Sequence, residues 1–425
     1  MAAPISPENI TRVVLPNGIS ILVKENHANP SISVRGRLRA GAMYDSDKTA
    51  GLAQFTAAAL NRGTDKYSFQ KLNEVLDRSG MSLGAGAGVD YAGFYAKCLA
   101  EDLDLCLGLL EQILLHPTFP EREVEKLRGQ LVTGLREAKQ DTRWVASEHF
   151  HKLCYPLGHP YHRMDDGTEE TVKRLKRANL ERFHSRFFRP EGAMFVVVGD
   201  VQADEVVNRI QKRFGKWKGS GYPPPFEIPP VSPREAPARA SFALPGKIQS
   251  DVIIGNPGIA RSDPDFYALR MADLIFGQLG LYGRLGEEIR DRLGLAYYVY
   301  SSLSAGLGAG PWTVSAGVNP KNVDRAVEGI LAEVERLRVQ GVTEDELEHG
   351  QSFLTGSLAL RLETNDGVAS TLADIEFYRL GLDYIERYPD IIRSQTLEQI
   401  RAAVERHTHP ATAVTVIAGP PDGRA

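Results

Sequence analysis

Cysteine is scarce: the 425 residues hold three, Cys98, Cys106 and Cys154. A sparse, odd set excludes a disulfide framework and points to a reducing compartment. Long apolar runs are missing too, and none approaches the ~18 residues that a membrane-crossing helix requires. The opening Met1-Ala-Ala-Pro-Ile-Ser-Pro has neither a basic stretch nor an apolar one. No secretory signal is therefore expected, and the cytoplasm is the predicted compartment. Charge of one sign is not in excess: 50 Lys and Arg against 54 Asp and Glu leave −4. That balance offers no footprint for nucleic acid or an anionic membrane. What remains is ordinary globular material, 42% hydrophobic and 24% charged, long enough for two to three domains of ~150 residues.

Proline and glycine are concentrated at one place, from Gly215 to Pro233. No helix or central strand tolerates that density, so residues 215–233 read as a linker, extended and semi-rigid. The flanking halves look like copies. Asp102-Leu-Asp104-Leu opens an apolar-periodic helix through Leu115, and Asn322-Val-Asp324-Arg opens another through Leu337. Pro117 to Glu125 and Val342 to Glu348 each introduce a further long helix. Tyr155-Pro-Leu-Gly158 matches Tyr378-Arg-Leu-Gly381, and the apolar strand Met194–Gly199 matches Val414–Gly419. An offset that stays near ~220 residues over this span is the signature of internal duplication. Each copy begins with strands. Ile10–Leu15 and Ile19–Val23 flank a Pro-Asn-Gly turn, which predicts a hairpin, and Ile32–Leu38 follows. Ala240–Leu244 and Asp251–Gly255 take those places in the second copy. Runs of strands and runs of helices predict α+β architecture. The domains expected are 1–214 and 234–425, with a cleft or chamber between them.

The segment Gly51-Leu-Ala-Gln54-Phe-Thr-Ala57-Ala58-Ala-Leu-Asn-Arg-Gly63-Thr64 is similar to the signature of M16 (pitrilysin-family) metallopeptidases, Gly-Leu-Ala-His-Phe-Leu-Glu-His-Met-Leu-Phe-Lys-Gly-Thr. Gly51, Leu52, Ala53, Phe55, Leu60, Gly63 and Thr64 coincide without gaps. The resemblance implies two duplicated LuxS/mitochondrial-processing-peptidase-like lobes. In the family, His-x-x-Glu-His lies on a helix, its histidines bind zinc and its glutamate is the general base. Here those positions are Gln54, Ala57 and Ala58, and the third ligand position falls near Leu135. Glu137, two residues on, points round the other side of a helix. None of the zinc-site groups is present at these positions. A second stretch, Arg290-Asp-Arg-Leu-Gly-Leu-Ala-Tyr297-Tyr-Val-Tyr-Ser, resembles the family's Arg-Glu-Lys-Arg-Gly-Leu-Ala-Tyr-Ser-Val-Tyr-Ser. The resemblance implies that Arg290 and Tyr297 hold the substrate backbone and stabilise an oxyanion. A chain that has lost the zinc half and kept the Arg/Tyr half resembles one subunit of a two-chain M16 enzyme. It implies a heterodimeric partner bearing His-x-x-Glu-His and Zn2+, with a peptide substrate. An inactive scaffold or binding protein of the same fold is the alternative.

Four other patterns read as structural. His149, His151, His159 and His162 with Cys154 form a possible metal cluster, but residues two apart on a helix diverge. Gly80–Gly88 lacks the strand-then-helix context of a phosphate loop, and in the family this region leads into a substrate-pairing edge strand. Ser304–Gly310 reads as a β-turn, and Lys173–Arg177 as a solvated helix face.

Overall fold

The computed structural model describes residues 5–219 and 224–421. Residues 220–223 of the predicted linker lie outside that set. Two compact units are present, each built on one mixed sheet.

Unit 1 contains β1 (Thr11–Val14), β2 (Ser20–Glu25), β3 (Ser31–Leu38), β4 (Ser82–Ala87), β5 (Ala92–Leu99) and β6 (Met194–Gly199), in spatial order β1-β2-β6-β3-β5-β4. The β1–β2 hairpin turns at Gly18, whose φ of +91° suits glycine. Strand β6 is buried at all six positions, as a continuous apolar run should be between two covered faces. It runs parallel to β2 and antiparallel to β3. Strand β3 alternates. Ile32, Val34 and Leu38 are buried on one face, while Ser33, Arg35 and Arg37 lie on the other.

That second face is covered by a helix from far along the chain, Asn365–Phe377, which packs on β3 and β6. Asp366 accepts from Ser33 Oγ at 3.0 Å and from the Arg35 fork at 2.8 and 2.7 Å. Asp374 accepts from Arg37 at 2.6 Å, and Glu376 from Arg12 at 2.9 and 2.8 Å. Val368, Leu372 and Ile375 supply the apolar part of the contact.

Unit 2 contains β7 (Ala238–Ala243), β8 (Ser250–Pro257), β9 (Ala296–Leu303), β10 (Pro311–Val318) and β11 (Val414–Gly419), in order β7-β11-β8-β10-β9. Its counterpart exchange runs the other way. The helix Thr142–Cys154, from the first half of the sequence, packs on β8 and β11. Asp141 caps it by accepting from Trp144 N–H at 2.8 Å, and Thr142 Oγ1 donates to the buried Asp251 of β8. Phe150 of this helix is 1% exposed.

The compact units therefore differ from the contiguous domains 1–214 and 234–425. Unit 1 comprises 1–133, 165–226 and 357–388, and unit 2 comprises 134–164, 227–356 and 389–425. The two exchanged helices are the equivalent elements of the duplication. Each ends in the turn paired by sequence, with Gly158 at φ +86° and Gly381 at φ +89°. Periodicity marks which face of a helix is buried but not which sheet receives it. Among the described residues, no helix is long and apolar enough to cross a membrane.

The histidine cluster does not converge. His151 Nδ1 bonds the Tyr161 carbonyl oxygen, His159 Nε2 that of Pro229 and His162 Nδ1 that of Tyr155, at 2.7, 3.0 and 2.8 Å. His149 stacks on Phe242 with centroids 3.5 Å apart. Ser304–Gly310 is the loop that joins β9 to β10.

Candidate functional site

The signature segment forms a helix, Leu52–Ala59. Its N-cap is Gly51 at φ +88°, where a Cβ would lie 2.6 Å from the Asp166 carbonyl oxygen. The buried Asp45 carboxylate accepts from Gly51 N–H at 3.0 Å and Ala53 N–H at 3.2 Å, compensating the free amides of the helix start. Phe55 is fully buried under the Arg128 guanidinium, 5.4 Å from its ring centroid. Gly63 abuts Pro120, where a Cβ would meet Cγ at 2.5 Å. Thr64 Oγ1 accepts from Lys66 and Tyr67 N–H. The positions that match the signature outside its zinc groups are thus the ones that build the helix and its exits.

Gln54 and Ala58, four apart, share the partly open face of this helix, and Ala57 is 1% exposed. Gln54 Oε1 accepts the Ala87 N–H at 2.7 Å. Ala87 ends β4, one of the two edge strands of the unit 1 sheet, and its amide faces away from β5 because the neighbouring Gly88 N–H bonds Tyr91. The side chain at the first ligand position therefore closes the end of an open strand edge. Leu135 is 5% exposed within the helix Glu121–Ala138, and Glu137 is exposed. A committed amide oxygen, two methyl groups and a buried leucine do not fit a zinc ion. Glycines do lie on the edge strand as the sequence implied, but Tyr95 packs over Gly84, where a Cβ would meet its ring at 2.8 Å.

Arg290 and Tyr297 are both carried on irregular backbone in unit 2. Arg290 lies in a π-helical turn, Gly286–Arg292, which stops at Gly294 with φ +61°. Tyr297 lies on β9, one of the two edge strands of this sheet. The β9–β10 register pairs Tyr298 with Gly317 and Ala296 with Val318, which leaves Tyr297 as the extra residue of a β-bulge. Both features re-aim a side chain and recur at functional sites.

Three polar residues close to them in the chain are engaged. Arg284 makes a two-pronged pair with Glu346 at 2.6 Å on both arms, and Arg292 pairs with Glu288. Tyr298 donates to Asp251 and accepts from Arg143 Nε at 3.0 Å, and burial raises its phenol pKa. Arg290 is exposed, Tyr297 is 58% exposed, and neither has a polar partner among the described residues. Two open donors of the right types are left on this surface.

A buried carboxylate that no motif marks holds the strand carrying Tyr297. Asp273 is 1% exposed and accepts from Trp312 Nε1 at 3.0 Å, Leu303 N–H at 3.1 Å and Gln278 Nε2 at 2.5 Å. Its own carbonyl accepts from Ser301 Oγ at 3.0 Å. Burial raises its carboxyl pKa, opposed by these hydrogen bonds and by Arg270. It pins β9 against the helical segment that leads to Arg290. Another group with metal-ligand chemistry, Asp263, Asp265 and His407, is tied up internally, with Asp265 bonded to Arg406 at 2.9 Å and His407 at 2.8 Å.

Comparison with known proteins agrees with this picture. The family description "Insulinase (Peptidase family M16)" matches residues 20–161, and "Peptidase M16 inactive domain" matches residues 174–354. The uncharacterized zinc protease YmxG of Bacillus subtilis is 24% identical over 364 residues, 85% of this chain and 86% of the relative. The non-peptidase homolog YmxG of Helicobacter pylori is 23% identical over 396 residues, 92% of this chain and 89% of that one. The solved peptidase M16 inactive domain from Pseudomonas fluorescens has the same fold, with a TM-score of 0.90 at 24% identity over 97% of this chain and 98% of the other. The chain belongs to the M16 peptidase family. Its signature positions carry no zinc-binding group.

Proposed function

We propose that this chain is the zinc-free subunit of a two-chain M16 endopeptidase, contributing Arg290 and Tyr297 to peptide hydrolysis at the partner's zinc. The observation that carries the reading is the contrast between the two motifs. The signature helix keeps its structural residues and none of its ligands, whereas Arg290 and Tyr297 stand open while Arg284, Arg292 and Tyr298 beside them are engaged. A guanidinium fork and a phenol O–H are suited to a substrate carbonyl whose oxygen gains charge. The partner would bring His-x-x-Glu-His, Zn2+ and the attacking water, and this chain would be inactive alone.

The test is isolation of the chain from its native cell extract, with zinc content and peptide hydrolysis measured on the complex and on the chain alone. Activity and zinc that appear only with a His-x-x-Glu-His partner support the proposal. Zinc and activity in the lone chain would refute it. A scaffold role without proteolysis is the second reading, favoured by the Gln54 bond that closes the β4 edge and by the likeness to a non-peptidase homolog. Persistent inactivity of every isolated complex would select it.

A further inference from the structure

A cavity of about 410 Å³ in unit 1 is lined by residues of neither motif, and its size falls within the range of small-ligand sites. Val14, Met194, Phe226, Ile375, Phe377 and Leu382 give it apolar walls. Three arginines also line it. Arg12 is neutralised by Glu376, at 2.9 and 2.8 Å. Arg39 and Arg379 make no hydrogen bond or ion pair with any described residue. Arg39 is half-buried, laid over the Phe226 ring at 4.7 Å and against Gly192, where a Cβ would come within 2.3 Å of Nε.

Arg379 occupies an unusual place. The helix Asn365–Phe377 ends with Leu380 N–H on the Ile375 carbonyl at 2.9 Å and Arg379 N–H on that of Glu376 at 3.3 Å. This is the Schellman arrangement, in which the left-handed residue is ordinarily glycine. Arg379 holds φ +55° there. Strained backbone of this kind clusters at ligand clamps and active sites. Arg379 is exposed and Arg39 half-buried, and neither guanidinium is paired with a carboxylate among the described residues, so both forks are free to take an anion at the cavity they line. Burial first, and then the charge of Arg379, lower the pKa of Arg39.

We propose that Arg39 and Arg379 bind a carboxylate carried on an apolar body, as in a peptide whose C-terminal residue is apolar. The planar fork of arginine matches a carboxylate, and the cavity walls receive the side chain beside it. An inorganic anion would leave those walls uncovered. The assignment stands apart from the zinc partner and from Arg290 and Tyr297.

Calorimetric titration of the full chain tests it with four probes: an acetylated tripeptide ending in leucine, its C-terminal amide, N-acetyl-leucine and inorganic phosphate. The acid peptide is expected to bind at least tenfold more tightly than the amide. N-acetyl-leucine binding as tightly as the peptide supports the site with a free acid as its ligand. Tighter binding of the peptide supports a chain terminus. Arg39→Gln should weaken binding at least tenfold. Arg379→Gly should do the same while keeping or raising Tm, because glycine suits the backbone there, so the loss could not be assigned to misfolding. Equal binding of acid and amide, binding of phosphate alone, no binding at millimolar peptide, or unchanged affinity in Arg379→Gly would overturn the proposal.

Discussion

Severing the chain within the 215–233 linker should leave neither half able to fold alone, although each half is long enough for a domain. Residues 1–214 would lose the helix Asn365–Phe377 from unit 1. Val368, Leu372 and Ile375 of that helix are 6, 0 and 1% exposed. At ~1.5–3 kcal/mol for each large buried side chain, their loss removes roughly 5–9 kcal/mol, an upper estimate because unfolded chains already bury some surface. Arg37, whose side chain is 10% exposed, would lose Asp374 and add about 1–3 kcal/mol. The sum rivals the ~5–15 kcal/mol that holds a whole domain together. Residues 1–214 would also leave the apolar face of Thr142–Cys154 without its sheet, since β8 and β11 belong to the other half. The assay is urea unfolding followed by circular dichroism, on each half alone and on the two halves co-expressed. Co-expressed halves should restore a cooperative transition. A cooperative urea transition in residues 1–214 alone, with a midpoint close to that of the intact chain, would refute the reasoning.

Three further outcomes are expected. Tyr297→Phe should lower the kcat of a reconstituted pair roughly 10²-fold, as loss of an oxyanion donor does, and change stability by under ~0.5 kcal/mol because the side chain is open; an unchanged rate would remove Tyr297 from the reaction. Gly51→Ala should cost about 2–4 kcal/mol in urea unfolding, combining left-handed strain with the backbone contact at Asp166. Gly80→Ala, at φ +58° with nothing within 4 Å, should cost only ~1 kcal/mol, and equal costs would discredit the contact. Burial lowers the pKa of His184 to about 4, against a carbonyl bond to Leu114 that raises it. The unfolded chain therefore takes up this proton first, and the stability from His184 is complete above pH ~6.5 and lost as pH falls toward 4. His184→Gln should flatten that part of a Tm–pH profile; an identical acid slope would contradict it.

Much of the fold was legible because it depends on local pattern. Met194–Gly199 and Val414–Gly419 are apolar, β-branched runs, and they form β6 and β11 over those same residues. The hairpin turns at its Pro-Asn-Gly, and Gly294 ends the segment carrying Arg290. At the signature, Gly51, Phe55 and Gly63 could be matched by type, and the structure supplies the cap, the buried ring and the tight exit that require them. The Gln54–Ala87 bond was not legible, since it joins residues 33 apart through an edge amide that no pattern marks. Nor was the bulge at Tyr297, because an alternating strand reads the same until its partner's register is known.

By itself the sequence determined the family, the duplication, the α+β order of elements and the absence of zinc-binding groups at positions 54, 57 and 58. These follow from residue types and short spacings. Only the tertiary structure decided that Thr142–Cys154 and Asn365–Phe377 each pack on a sheet built by the other half of the sequence, that Asp273 pins β9, and that Arg39 and Arg379 line one cavity with no carboxylate partner among the described residues. Each of these depends on pairing residues far apart in the chain, where an apolar stripe or a lone charge fits several partners and the packed fold selects one.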